Sequence, residues 1–267
     1  MCIRLGGYIA RTHMKGVIVM PKKANKGVST INTVSDVEEI RKSLLEMLNK
    51  NDTSSSLIYC RPLSSNVDFA KIWLDKPKLT DSVTSSDGPD VFYLIKNDEN
   101  TFVAIVFDMI RDLHWFVHPD FRGNGYLINA MKNTIIPHLF LSRNEQRITI
   151  KEFEIGTDNF KASEKVALSL GFVLGEDGEY LLSHDNRITE NYNFGENTPL
   201  SQDRIDELKK QINFLGRSLW AIQTEIEMKF GETDYSEELM DLVHQIRSNN
   251  WKLEDFYWAI KNKDKLS

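Results

Sequence analysis

Cysteine is scarce in this chain. Its 267 residues hold two, Cys2 and Cys60, and no C-x-x-C pair. That excludes a zinc ribbon and a dithiol redox motif, and two thiols far apart in sequence suit a reducing, cytoplasmic setting. Long apolar runs are missing too. None approaches the ~18 residues of a membrane span, and Arg11, His13 and Lys15 break up the segment where a signal peptide would place its apolar core. There is no G-x-S-x-G nucleophile elbow and no G-x-G-x-x-G after a strand. The histidines lack ligand spacing. His114 and His118 are four apart, but His118 precedes Pro119 and is expected to be extended, so the two do not make a helical metal pair. No metal is expected.

Acidic residues are absent from the N-terminal stretch. Residues 1–28 carry six bases (Arg4, Arg11, Lys15, Lys22, Lys23, Lys26) and no acid, and the whole-chain charge of −6 leaves −12 for the remainder. An acidic body repels phosphates, so general nucleic-acid binding is not expected. The basic segment reads as a solvated arm. Acylation of charged tRNA held by this arm is a weaker idea, and it requires binding that falls steeply with salt.

What is present reads as alternating strands and helices, with no solenoid-period repeat. Val28–Thr33 alternates like a first strand, and Ser35 can cap a helix whose Val37, Ile40, Leu44, Leu45 and Leu48 share a face. Asn51 to Ser56 is a polar break. A second helix is expected over Asn66–Leu74, with Phe69 and Trp73 on one side, followed by a Ser/Pro/Asp-rich loop. Strands follow at Val91–Ile95, Thr101–Phe107 and Leu113–Val117, the first two joined by a turn at Asn97–Asn100. Tyr126–Phe140 reads as a helix kinked or shortened by Pro137. Arg147–Ile155 reads as a strand. Asn159–Leu170 reads as a helix that Gly171 ends in a left-handed conformation. Val173–Ser183 reads as a hairpin around Gly175–Gly178.

The most informative stretch is Leu113 to Leu127, L-H-W-F-V-H-P-D-F-R-G-N-G-Y-L. An apolar strand meets a proline turn, then Arg122-Gly123-Asn124-Gly125, then a helix. Glycines that reach positive φ let successive N–H groups converge on a pyrophosphate, and the helix N-terminus adds its dipole. Downstream stands Ser163-x-x-Val166-Ala167-x-x-Leu170-Gly171-Phe172.

Taken together, these parts resemble the GNAT superfamily of acyl-CoA-dependent N-acetyltransferases, whose signature is [QR]-x-x-G-x-[GA]. Arg122 and Gly125 fill its first two fixed positions, and Leu127 stands where the family has Gly or Ala. The second half is similar to the branch that acetylates ribosomal-protein N-termini. The resemblance spans roughly Val28 to Ser183. It implies a mixed, mostly antiparallel α/β (α+β) sheet with flanking helices, and acetyl-CoA as co-substrate. It also implies a strand that splays from its neighbour. Phe116 and Val117 would then offer main-chain groups to the pantetheine arm and thioester, and Arg122, Gly123, Asn124, Gly125 and Tyr126 would hold the pyrophosphate. Asn159 sits near the branch's Asn, one residue further from the Gly-Phe pair. Candidates for the base are Asp112, Glu154, Glu152 and His114. The family's usual acid is a Tyr at the place of Ala167, so Ser163, Tyr126 or water is expected to serve.

Residues 1–27 are thus a basic tail, 28–184 a GNAT-like domain, 185–199 a polar linker and 200–267 a helical region. In the last, Ile205, Leu208, Ile212, Leu215, Leu219, Ile222 and Ile226 form a heptad seam that Gly231 stops. Two shorter helices are expected after it, near Ser236–Arg247 and Leu253–Lys261. The seam suits a helical hairpin or small bundle packing on the chain itself, or a homodimer or partner-binding coiled coil. The expected function is direct acetyl transfer to a primary amine of a protein N-terminus or small molecule, with no membrane partner. The alternative is a catalytically inactive GNAT fold that binds a partner through its C-terminal helices.

Overall fold

A computed structural model describes residues 34–50, 52, 56–86, 88–183, 194 and 199–263. The expected tail, the strand at 28–33 and most of the linker lie outside them. The first element is helix α1 (Val34–Lys50). Its Leu44, Leu45 and Leu48 are buried, as their spacing requires.

Two strands follow, β1 (Leu57–Ser64) and β2 (Val67–Trp73), paired antiparallel. This corrects the expected helix over Asn66–Leu74. Phe69 and Trp73 are four apart and imitate a helical face. The dominant period is instead two: Asp68, Ala70 and Ile72 are buried on one side. On the other side Phe69 stands opposite Tyr93, with ring centroids 5.4 Å apart. Strands β3 (Asp90–Lys96), β4 (Phe102–Asp108) and β5 (Leu113–Val117) fall where alternation placed them. The sheet runs in simple order β1-β2-β3-β4-β5, every neighbour antiparallel. The Asn97–Asn100 turn closes with Asn100 donating to the Asn97 carbonyl at 3.1 Å.

Both faces of this sheet are covered. α1 packs on Ala70, Ile72, Leu94, Ile105 and Phe116. The opposite face holds Val67, Tyr93, Ile95, Val106 and Leu113, under the helical run that starts at Tyr126. That run is α2 (Tyr126–Ala130), a π turn over Met131–Ile135, and α3 (Ile136–Leu139). Pro137 has no N–H and its ring crowds the preceding turn. The turn widens instead of kinking: Ile136 donates to the Met131 carbonyl, five residues back.

The second sheet is small: β6 (Glu145–Ile148), β8 (Tyr180–Ser183) and β7 (Val173–Leu174), in order β6-β8-β7, both pairs antiparallel. The expected strand Arg147–Ile155 therefore ends early. Residues Glu152–Ile155 form a one-turn helix, α4, and Gly156 (φ 77°) separates it from α5 (Thr157–Ser169). Gly171 takes φ 90° at the end of α5, as expected.

The chain closes with two long helices, α6 (Gln202–Phe230) and α7 (Asp234–Lys263), packed on each other. α7 is continuous, which corrects the expectation of two short helices. Ser248 and Asn249 turn their side chains onto the Gln245 carbonyl at 2.8 Å each, satisfying themselves within the helix. The architecture is thus α+β: a five-stranded antiparallel sheet with helices and a C-terminal helical pair. Among the described residues no helix is long and apolar enough to cross a membrane.

Candidate functional site

The two sheets meet at one point. β5 and β6 run parallel and touch through a single bridge, Asp112 to Arg147. The Asp112 carboxylate then accepts the N–H of Thr149 at 2.9 Å. Among the described residues no ladder joins the strands beyond it, so the edge of β5 toward Val117 has no strand partner; this unpaired edge is the wedge between the sheets.

The register of β4 and β5 fixes which main-chain groups face that wedge. His118 donates to Val103 at 2.9 Å and Met109 donates to Asp112 at 3.0 Å. Hydrogen-bonded pairs alternate along an antiparallel ladder, and this one has no bulge. Residues 112, 114, 116 and 118 therefore turn their amides to β4, and 113, 115 and 117 turn theirs outward. Val117 turns its amide to the wedge. Phe116 does not: its main-chain groups belong to β4, and its ring lies in the core under α1. Trp115 takes the place assigned to it.

The corner follows. His118 is extended (φ −54°, ψ 134°) ahead of a short turn at Pro119–Phe121. Arg122 folds back and donates from Nε to the Val117 carbonyl at 3.1 Å, which pins the loop to the strand. Gly123 and Gly125 have φ of 81° and 79°. Space does not demand glycine there, since a Cβ on Gly123 meets nothing within 4 Å and one on Gly125 meets only the Asn129 amide nitrogen at 3.6 Å. Backbone conformation does. Asn124 donates to the Phe121 carbonyl at 3.3 Å. Tyr126 opens α2 and packs partly on the core. Leu127 is buried beside Ala130 and Met131, so its bulk points into the core.

The candidate bases separate. Asp112 sits at the closed end of the wedge. Burial raises its pKa, but the His114 side chain and the Thr149 N–H outweigh this and hold the carboxyl below its ordinary range. His114 Nε2 lies 3.5 Å from Asp112 Oδ2. Glu154 is not on a strand. It stands on α4 in a half-exposed pair with Lys151 at 3.0 Å, an arrangement worth under about 1 kcal/mol, and Glu152 is exposed on the same turn. Ser163 is half-buried on α5. Asn159, on the first turn of α5, donates to the Ile155 carbonyl at 3.1 Å and ties α5 to α4. Ala167 is fully buried among core residues that include Phe172 and Tyr180.

Two polar groupings escape sequence reasoning because their members are far apart in the chain. The Tyr180 hydroxyl donates to Glu164 at 2.7 Å, and burial followed by that carboxylate pushes its pKa up to about 12. On the α3 side, Arg61 approaches His138 Nε2 at 3.1 Å and Tyr93 Oη lies 2.9 Å from His138 Nδ1. Arginine only donates, so Nε2 accepts, and Nδ1–H donates to Tyr93. Burial first, then the Arg61 charge, lowers the His138 pKa. Nearby, the buried Asp108 carboxylate pairs with Arg143 at 2.6 Å. Tyr93, Asp108, His138 and Arg143 border a cavity of about 200 Å³ at the far end of α3 from the glycine corner. Another cavity, of about 250 Å³, lies at the β7–β8 hairpin. Among the described residues no three His, Cys, Asp or Glu side chains converge on a metal site.

No family model, curated protein or solved structure matches this chain.

Proposed function

We propose that this chain is a GNAT-type N-acetyltransferase, moving an acetyl group from acetyl-CoA to a primary amine of a protein N-terminus or small molecule. One observation carries the reading: a strand edge without a strand partner, with outward main-chain groups at Trp115 and an outward N–H at Val117, leads directly into a corner of two left-handed glycines at a helix start. An extended pantetheine arm pairs with such an edge as an added strand. The corner's amides and the start of α2 suit the pyrophosphate, and the buried Leu127 leaves that approach clear.

The chemistry follows from the same placement. The Val117 N–H is the donor for the carbonyl oxygen, where charge develops on attack. The Asp112 carboxyl, held low, is a poor base but a good anchor. His114 beside it takes the amine proton, with Asp112 orienting the ring. The departing thiolate has a pKa near ~8.5 and leaves at neutral pH without a dedicated acid. This moves the base from Asp112 and Glu154 to His114.

A second reading, an inactive GNAT fold that binds a partner, is favoured by Ala167, which fills the usual acid's place with a buried methyl group. Calorimetry with acetyl-CoA on the full chain decides first. One-to-one binding supports the cofactor, and absence of heat removes the acetyltransferase. Thiol release with an amine panel then separates the enzyme from the binding module.

A further inference from the structure

Only part of the heptad seam on α6 is covered: Ile205 is buried and Leu208, Ile212, Leu219 and Ile226 are half-buried. Leu215 and Ile222, one heptad apart, are 58% and 53% exposed. Their next neighbours, Gly216 and Gln223, are buried against α7. At Gly216 the fit is close, for an added Cβ comes 3.0 Å from Arg247 Cγ. At these two levels the intramolecular contact is therefore carried by the next residue, about 100° round the helix from the seam's own side chain.

α7 repeats the offset. Ser236 and Val243 are buried, and the residues just before them, Tyr235 and Leu242, are exposed. Phe256, exposed, likewise precedes the half-buried Tyr257. In both helices the exposed apolar residue stands one position ahead of the buried one. Because α6 and α7 run antiparallel, the same rotation in sequence brings both stripes to one side of the hairpin. The result is an exposed apolar stripe built on Leu215, Ile222, Tyr235, Leu242 and Phe256, flanked by Glu225, Glu238 and Lys252.

We propose that this face packs on the same face of a second copy, so that two hairpins form a four-helix bundle around a two-fold axis. Two features select a second copy. The face's exposed side chains present on the order of 600 Å² per copy, and half-exposed seam residues such as Leu208 and Ile226 bring it close to the ~800 Å² per partner of a stable interface. A heptad stripe flanking an existing antiparallel pair is also the layer by which a two-helix unit becomes a four-helix bundle.

The test is the mass of the full chain by light scattering during gel filtration. The expected value is twice 30.8 kDa at about 10 μM, since interfaces of this size reach at least ~1 μM affinity. Leu215→Glu with Ile222→Glu is expected to give the monomer mass with unchanged helical circular dichroism, since both sites are exposed in the single chain. If that pair loses helix, Leu242→Glu alone on α7 is expected to give the same mass change. Phe214→Glu, on the other side of α6, is expected to keep the dimer. A wild-type monomer at that concentration overturns the proposal. So does a dimer that survives both sets of substitutions.

Discussion

Asp112 and Thr149 form the joint between the two sheets: the aspartate carboxylate accepts the threonine N–H at 2.9 Å, where a backbone ladder stops. A side chain closing a ladder lets two parallel strands part immediately beyond it. Asp112→Ala leaves the Thr149 amide without that acceptor and is expected to cost about 1–3 kcal/mol in denaturant unfolding. Asp112→Asn keeps an acceptor oxygen and is expected to cost less. The carboxyl's pKa is lowered in the fold, so its stabilising contribution is full above the unfolded carboxylate range and is lost as pH falls through the folded value. A wild-type acid limb steeper than that of Asp112→Asn is the expected difference.

The parts of this arrangement readable from sequence were those encoded locally. Alternation placed β3, β4 and β5, and glycine placed the corner and the end of α5, because those signals lie within a few residues of what they determine. Strand β2 was misread because Phe69 and Trp73 satisfy a helical spacing. Its real determinant, pairing with β1 and β3, is not local. The parity that turns Phe116 toward β4 and Trp115 toward the wedge depends on register, which only the Val103–His118 and Met109–Asp112 hydrogen bonds fix. His138, Tyr93 and Arg61 come from three separate elements, and no spacing rule joins them.

The glycine corner gives a prediction with separable parts. Gly125→Ala places a side chain at φ 79° and is expected to cost about 1–2 kcal/mol of stability from torsion alone, with acetyl-CoA affinity reduced in calorimetry. Arg122→Glu breaks the anchor to the Val117 carbonyl and sets a carboxylate where phosphates are expected. It is expected to abolish acetyl-CoA binding while the melting temperature changes little. Arg122→Glu binding as tightly as wild type would remove the corner from the site.

His114 and Asp112 predict a split in kinetic constants. If Asp112 orients the ring that takes the amine proton, Asp112→Asn is expected to lower kcat by about tenfold or more, within the range of general-base effects. KM for acetyl-CoA is expected to stay within about twofold, since that ligand is held at the other end of β5. His114→Gln is expected to lower kcat at least as far as Asp112→Asn, again with KM for acetyl-CoA little changed. Equal loss in kcat and affinity would point to a purely structural joint.

His138 sets a pH dependence of the opposite chemical type to Asp112 and the same direction. Its pKa is lowered in the fold by burial and by Arg61, so the unfolded chain takes up a proton first as pH falls below 6.5. Stability is therefore expected to fall with pH from that point down to the lower folded value, and then to level off for this group. His138→Gln is expected to be less stable at pH 7.5 and to lack this component of the slope. Urea unfolding across pH 5–7.5 measures both.

Inside the hairpin, the Asn250 side-chain oxygen is buried with no hydrogen-bond partner. Such an atom gives up its hydration without replacement, at about 1–3 kcal/mol. Leu has the same branching, is larger, and brings no polar atom. Asn250→Leu is therefore expected to raise the unfolding midpoint, by roughly 1 kcal/mol or more in free energy. A lone buried Asn between paired helices can also hold their register at the expense of stability. These two roles separate in one variant: if Asn250→Leu is more stable and its helix pairing unchanged, as judged by hydrogen exchange along α6 and α7, the oxygen is a simple liability. If stability rises while protection near Gly216 is lost, the asparagine holds the one-residue offset that turns Leu215 and Ile222 outward.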